Sequence, residues 1–232
     1  MLTVATFLWG DKYSLDDVRR LQRVVARHLS VPHEFAVITD RPHLFDGNVD
    51  IRAIPLDMTT HVDDTCFVRL MTFHPMGAEL IGERVLQIDL DTLIVGNLDS
   101  LVERDEDLVL WRNPSRIPWE KPIKSGRPYY NTSLVLHCCG TMPHLYERFD
   151  PGFPRCRDDQ WWVSDMLGPG MPYWDDSDGV YRLGRPDTPG SGIMGSLPAN
   201  ARIVTFPGSE GKWTEPHIMT ANPWIGEHLA LA

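Results

Sequence analysis

A chain of 232 residues, 42% hydrophobic and 23% charged, is long enough for a sizeable core and too apolar for a wholly disordered polymer. Its 22 Lys and Arg against 32 Asp and Glu leave a formal charge of −10, which argues against a general polyanion binder such as a duplex DNA module. No stretch approaches the roughly 20 apolar residues of a membrane span, and the short apolar start lacks the basic flank of a signal peptide.

In chain order, residues 2–9 read as a buried strand stopped at Gly10. Ser14 is placed as an N-cap, with Leu15, Val18, Leu21, Val24, Val25 and Leu29 following at helical spacing until Pro32. Glu34–Thr39 and residues 51–54 are strand-like, Cys66–Phe73 helical, and Arg84–Ile88 an apolar strand that runs into Asp-Leu-Asp. Asp107–Trp111 and Asn131–His137 are further strands, residues 158–167 a helix, and residues 168–200 a Pro/Gly-rich connection. Arg202–Phe206 is a last strand and Pro223–Ala232 a short amphipathic helix. Alternating helices and nearly continuous apolar strands predict an α/β fold around a parallel, doubly covered sheet, with ligands beyond the carboxyl ends of its strands. Gly10, Asp40 and Asp89–Asp91 fall at such ends.

The composition is uneven along the chain. Four of 19 prolines and one of eight tryptophans, Trp9, precede residue 110, so the second half reads as loops carrying large aromatic surfaces. Cys66, Cys138, Cys139 and Cys156 have neither CxxC spacing nor the density of a disulfide framework, which predicts reduced thiols and a cytoplasmic location.

The sharpest local feature is Val85-Leu-Gln-Ile-Asp89-Leu-Asp91-Thr-Leu-Ile-Val. Two carboxylates two residues apart, after a buried strand, are hard oxygen ligands suited to Mn²⁺ or Mg²⁺. They could equally cap a turn. A haloacid-dehalogenase-type hydrolase also opens with a strand and Asp-x-Asp. That reading fits poorly, because 88 residues precede Asp89 and Leu93 stands where such enzymes place Thr or Val.

Trp9-Gly10-Asp11-Lys12-Tyr13-Ser14 and Phe35-Ala-Val-Ile-Thr39-Asp40 are followed by Arg69-Leu-Met-Thr-Phe73, Asp89-Leu-Asp91-Thr92 and Val95-Gly-Asn-Leu98. Then come Tyr130-Asn131-Thr-Ser-Leu-Val-Leu, Asp159-Gln160-Trp-Trp, and Arg202-Ile-Val-Thr-Phe-Pro-Gly208 with Lys212-Trp213. As an ordered set these stretches resemble the bacterial nucleotide-sugar glycosyltransferases of family 8, the glycogenin and galactosyltransferase type. The resemblance implies a GT-A fold: a mostly parallel central sheet covered by helices on both faces, with a loop-rich C-terminal half. It implies transfer of a sugar from a nucleotide diphosphate, of the UDP type, to an acceptor, with retention of anomeric configuration.

By the same resemblance Asp89 and Asp91 are the metal ligands, while Thr6, Trp9, Gly10 and Tyr13 lie along the nucleotide. Arg69 reaches the diphosphate or donor sugar, Lys212 pairs with the phosphates, Asn131 lies beside the sugar, Asp159 holds a sugar hydroxyl, and Gln160 lies below the anomeric carbon. Cations aimed at a departing diphosphate are the preorganised charge that glycosyl transfer needs. The resemblance also implies a histidine as third metal ligand before Gly208, where this chain has Thr205, Phe206 and Pro207. His217 is the substitute at hand, and a metal-bound water the other option. That departure keeps a catalytically silent nucleotide-sugar or carbohydrate binder in play.

With no internal repeat or linker, residues 1–232 are expected to form one domain, 1–110 serving nucleotide and metal and 111–232 the acceptor. Trp111, Trp119, Trp174 and Trp213 are candidates for stacking on sugar faces; of Trp161 and Trp162, one is expected in the core and the other at the acceptor. The acidic run from Asp175 to Asp178 reads as a solvated loop. The basic stretch Arg112–Arg127 reads as a solvated loop, a lid, or a contact for an anionic acceptor such as modified nucleic acid.

Overall fold

The computed structural model describes residues 1–56, 66–113, 128–150, 152, 157–184, 192–206 and 213–230. In chain order its elements begin with β1 (Leu2–Leu8), α1 (Leu15–His28), β2 (His33–Thr39), β3 (Arg52–Pro55), α2 (Gly77–Leu80), β4 (Arg84–Ile88) and β5 (Thr92–Ile94). They continue with α3 (Asp99–Val102), β6 (Leu108–Arg112), β7 (Tyr130–Cys138), α4 (His144–Glu147) and α5 (Asp159–Leu167). The last are β8 (Tyr173–Trp174), β9 (Val180–Arg182), β10 (Ile203–Thr205), α6 (Pro216–Ala221) and α7 (Trp224–Ala230).

The main sheet has the order β3-β2-β1-β4-β7-β6-β8. Pairings among β1, β2, β3 and β4, and between β6 and β8, are parallel. The sheet is mostly parallel, as expected, and β7 is the exception, running antiparallel to both β4 and β6. A second sheet, β5-β10-β9, follows the acidic turn.

Every residue of β1 is buried because both of its faces are covered. Leu2, Val4 and Leu8 pack with Val18, Leu21, Val24 and Val25 of α1. The alternate residues Ala5 and Phe7 face the opposite layer, which holds Val68, Leu70, Phe73 and, from α5, Trp162 and Val163. Helix α1 starts where expected. Ser14 and Asp17 form a reciprocal capping box, which satisfies two backbone donors that a helix start leaves open.

The helix expected over Cys66–Phe73 is a 3₁₀ helix, and its last six residues are buried. The Pro/Gly-rich connection contains β8 and β9, and the acidic run forms a 3₁₀ turn over Asp176–Asp178 capped by Asp175. Strands of two or three residues carry too little alternation to be seen in sequence. Trp111 and Trp174 are fully buried and Trp213 nearly so, so these three serve the core rather than an open sugar face. Trp119 and most of the basic 112–127 stretch lie outside the described residues. Cys66, Cys138 and Cys139 are free thiols, and among the described residues no helix is long and apolar enough to cross a membrane.

One buried group gives the fold a pH dependence. His137 on β7 lies between its partners Val85 and Leu108, its Nε2 2.6 Å from the Thr72 hydroxyl oxygen. Burial pushes its pKa down from 6.5 to about 3, with Arg84 adding to the shift. The unfolded chain therefore takes up a proton that the folded chain refuses, and this contribution is complete above the unfolded pKa and shrinks as pH falls below it. At about pH 5 the loss is on the order of 2 kcal/mol. Urea unfolding should show wild type losing that much more than His137→Gln between neutral pH and about pH 5. Parallel losses in the two proteins would remove His137 as the cause.

Candidate active site

The carboxyl ends of β1 and β4, the start of α5 and the edge of the small sheet surround a cavity of about 630 Å³. The loop after β1 forms one wall. Gly10 has a left-handed backbone (φ 56°) that glycine adopts without a Cβ penalty. Its N–H donates to Asp40 Oδ2 at 3.2 Å and its carbonyl accepts from Arg41, so the end of β2 sets this loop. Trp9, Gly10 and Tyr13 all face the cavity, Trp9 edge-on to Phe7 at 6.4 Å. Thr6 does not: it is fully buried, on the same face of β1 as Val4 and Leu8.

Asp89 and Asp91 also line the cavity, on the turn between β4 and β5. Asp91 accepts from the Tyr13 hydroxyl at 3.1 Å, and Lys12 Nζ lies 3.9 Å from the same carboxylate oxygen. The backbone of Asp91 is tied to the second sheet, because its carbonyl accepts from Phe206 N–H at 2.8 Å. Burial, and the charge of Asp91 close by, push the Asp89 carboxyl up, while Arg69 works against that rise. Burial and the Asp91 carboxylate likewise push the Tyr13 phenol well above its usual range, so it remains a donor.

Arg69 joins the two halves of the site. It is buried, pairs with Asp89 through Nη1, and donates from Nη2 to Asp159 Oδ1 at 2.5 Å. The other oxygen of Asp159 accepts from the Thr132 hydroxyl at 2.5 Å. Asp159 is 1% exposed and lies behind the cavity wall, where both its oxygens are used by protein donors. Its neighbour Gln160, in the first turn of α5, does line the cavity. Asp158 caps that helix by accepting from Trp161 N–H at 2.9 Å, and burial raises its carboxyl pKa. Trp162 is core, its indole N–H donating to the Leu145 carbonyl; Trp161 is half-buried.

Asn131 reaches the cavity through an irregularity in β7. The β6–β7 register jumps from Leu110↔Val135 to Trp111↔Asn131, leaving residues 132–134 without partners on β6. Such bulges re-aim side chains near sites. Here Asn131 and Ser133 both face the cavity, and Asn131 Oδ1 accepts from Ser133 N–H at 2.8 Å.

Lys212 lies outside the described residues. His217 is two-thirds exposed, 3.5 Å from Glu215, and lines no part of the cavity. Thr205 and Phe206, at the expected histidine position, do line it. Residues that sequence reasoning passed over also contribute: Lys12, Asn113, Ser133 and Arg182. Ser133 stands two residues from Asn131 and was open to a strand-periodicity argument. Arg182 carried no such signal, since it ends a three-residue strand.

No protein-family model and no curated protein sequence matches the chain. Its structure is similar to that of galactosyltransferase LgtC in complex with donor and acceptor sugar analogues: TM-score 0.63, 16% identity, over 99% of this chain and 95% of that one. An active-site variant of LgtC aligns with TM-score 0.61 and 17% identity over 98% and 95%. The apo form of the glycosyltransferase GlyE from Streptococcus pneumoniae TIGR4 aligns with TM-score 0.53 and 16% identity, over 75% of this chain and 45% of that one. The chain has the GT-A glycosyltransferase fold.

In this GT-A fold the donor set can be tested against a divalent cation. Asp11, Asp89, Asp91 and Asp158 line the cavity against Lys12, Arg69 and Arg182, so carboxylates are in excess. Asp89 and Asp91 repel one another within it. A cation between them relieves that repulsion. Among the described residues no third His, Cys, Asp or Glu joins the pair. The residues therefore fit a hard cation that keeps waters and takes phosphate oxygens, as Mg²⁺ does, better than one caged by protein alone.

Proposed function

We propose that the chain is a glycosyltransferase moving a sugar from a UDP-type nucleotide donor to an acceptor, assisted by Mn²⁺ or Mg²⁺ and with retention of anomeric configuration. The observation that carries this reading is the acidic turn at the end of β4, which shares one cavity with the first turn of α5 in a GT-A fold. Asp89 and Asp91 would hold the metal, whose charge, when bound, neutralises the departing diphosphate. Trp9 and Gly10 form the wall along which the nucleotide lies, and Tyr13 orients Asp91 through its hydroxyl. Arg182 and Lys12 add cations to the cavity lining, and Lys212 is assigned to the phosphates from sequence alone.

Gln160 presents a neutral dipole to the cationic anomeric centre, with Asn131 beside the sugar. Asp159 has both oxygens committed to protein donors, so its part in this reading is to hold Arg69 in place. The acceptor proton leaves with the phosphate oxygen of the departing diphosphate.

A panel of nucleotide sugars tests the reading by thermal shift. A ligand that binds only the folded chain at a hundred times its Kd stabilises by about 2.7 kcal/mol, or roughly 5–10 °C for a chain of this size. A UDP-sugar with Mn²⁺ should give that shift, and chelator should remove most of it. No shift with any UDP-sugar counts against the proposal. A shift without transfer or donor hydrolysis identifies a silent binder instead.

A further inference from the structure

We propose that Arg20 is a positioning residue for the acidic turn: its guanidinium grips the backbone on both sides of Asp91 and sits beneath Trp213, so that turn and C-terminal wall are set as one unit. The inference rests on the reading of the cavity as the donor and metal site. Arg20 lies among Val18, Leu21, Val24 and Val25 on the buried side of α1 and is only 9% exposed. Its Nη2 donates to the Leu90 carbonyl at 3.0 Å and its Nη1 to the Thr92 carbonyl at 3.4 Å. These carbonyls belong to the residues before and after Asp91. Its guanidinium carbon lies 4.2 Å from the centroid of the Trp213 ring, within cation–π range.

The rest of the contacts close a ring. Trp213 packs edge-on against Phe206 at 5.4 Å, and Phe206 N–H donates to the Asp91 carbonyl at 2.8 Å. Phe206 also lines the cavity. From Arg20 the path runs through the turn to Asp91, through Phe206 to Trp213, and back to Arg20.

A buried guanidinium is costly unless it is paired. Among the described residues Arg20 makes no ion pair, and its Nε finds no hydrogen-bond partner. Burial lowers its pKa to about 10, offset in part by Asp17 and Tyr13, with Arg23 adding to the fall, so it remains charged near neutrality. An apolar side chain would pack there more simply. What the cation uniquely supplies is a planar fork of donors that holds two carbonyls at once and stacks on indole. Lysine offers neither. The fork makes no contact with the Asp91 carboxylate, leaving that group for the cavity side, where Tyr13 meets it.

The test is Mn²⁺ binding in the presence of UDP, measured by titration calorimetry on the full chain, alongside thermal unfolding without ligand. Arg20→Met and Arg20→Lys should each weaken Mn²⁺ binding about tenfold, the usual scale for groups that orient metal ligands from behind. Arg23→Met, on the exposed side of the same helix, should leave binding unchanged and so controls for helix charge. Wild-type affinity in folded Arg20→Lys would overturn the proposal and leave the donor-site reading standing. If wild type itself binds no Mn²⁺ with UDP, the donor-site reading fails and this inference fails with it. A purely structural Arg20 predicts a lower unfolding midpoint with unchanged Mn²⁺ affinity in Arg20→Lys, which also counts against positioning.

Discussion

Arg69→Met should cost about 3–5 kcal/mol of folding stability at neutral pH, the scale for removing one partner from a buried charge network. The loss comes from what remains. Asp89 keeps its place in the cavity lining and Asp159 its place behind it, with no guanidinium between them, and Asp159 is almost wholly buried. Burial already raises the Asp89 carboxyl in the intact protein, and Arg69 is what opposes it. Without Arg69 the folded Asp89 carboxyl holds its proton to higher pH than it does in the unfolded chain. The folded variant then binds more protons than its unfolded state, so its stability falls as pH rises. Chemical unfolding should therefore show a larger deficit near pH 8 than near pH 5. A deficit under about 1 kcal/mol, or one independent of pH, would mean that the network is solvated enough to do without its cation. Transfer should also be lost, since the variant disturbs Asp89.

Asp91→Asn should lower metal-dependent transfer by on the order of 10³-fold, equivalent to about 4 kcal/mol of charge stabilisation in the transition state. Asparagine keeps the shape of aspartate and an oxygen for the Tyr13 hydroxyl to meet. Removing one negative charge also relieves Asp89. The thermal midpoint should therefore stay within the range of an ordinary surface substitution, about 0.5 kcal/mol. The pair of measurements separates chemistry from folding: rate collapses while stability holds. Wild-type rates in this variant, or transfer by wild type that persists in chelator, would remove the metal from the mechanism.

The two variants act on the same site through different physics. Arg69 is a structural cation whose absence strands two carboxylates, whereas Asp91 is, in the proposed function, half of a donor set that gains its value when a cation arrives. Arg20 adds a third kind of contribution, through backbone carbonyls and an indole rather than a carboxylate.

The order of the elements was written in local pattern. Continuous apolar runs marked β1, β2 and β4 because strands covered on both faces need apolar residues at every position, and these three proved buried along nearly their whole length. The start of α1 was visible in Ser14, because a cap is a local hydrogen bond that needs no tertiary partner. Asp89 and Asp91 could be singled out for the same reason: a carboxylate pair after an apolar strand is a local anomaly. Family resemblance then named Trp9, Gly10, Tyr13, Asn131 and Gln160, all of which share the cavity.

What no local pattern could settle was the partner of each charged group. Arg69 and Asp159 are 90 residues apart, Arg20 and Leu90 are 70 apart, and Asp91 meets Phe206 just beyond the end of β10. Such pairings depend on how strands are ordered across the sheet, not on the residues beside each group in the chain. For that reason Asp159, expected at the sugar, is found behind Arg69, and Trp111, Trp174 and Trp213, candidates for sugar faces, are found in the core. The direction of β7 and the bulge that turns Asn131 and Ser133 into the cavity are tertiary in the same sense. Charge and composition by themselves described an acidic chain with an aromatic, loop-rich second half, and the periodic order of its elements added the α/β class. Most of those tryptophans are packed inside, because only the folded chain decides which side of an indole finds water.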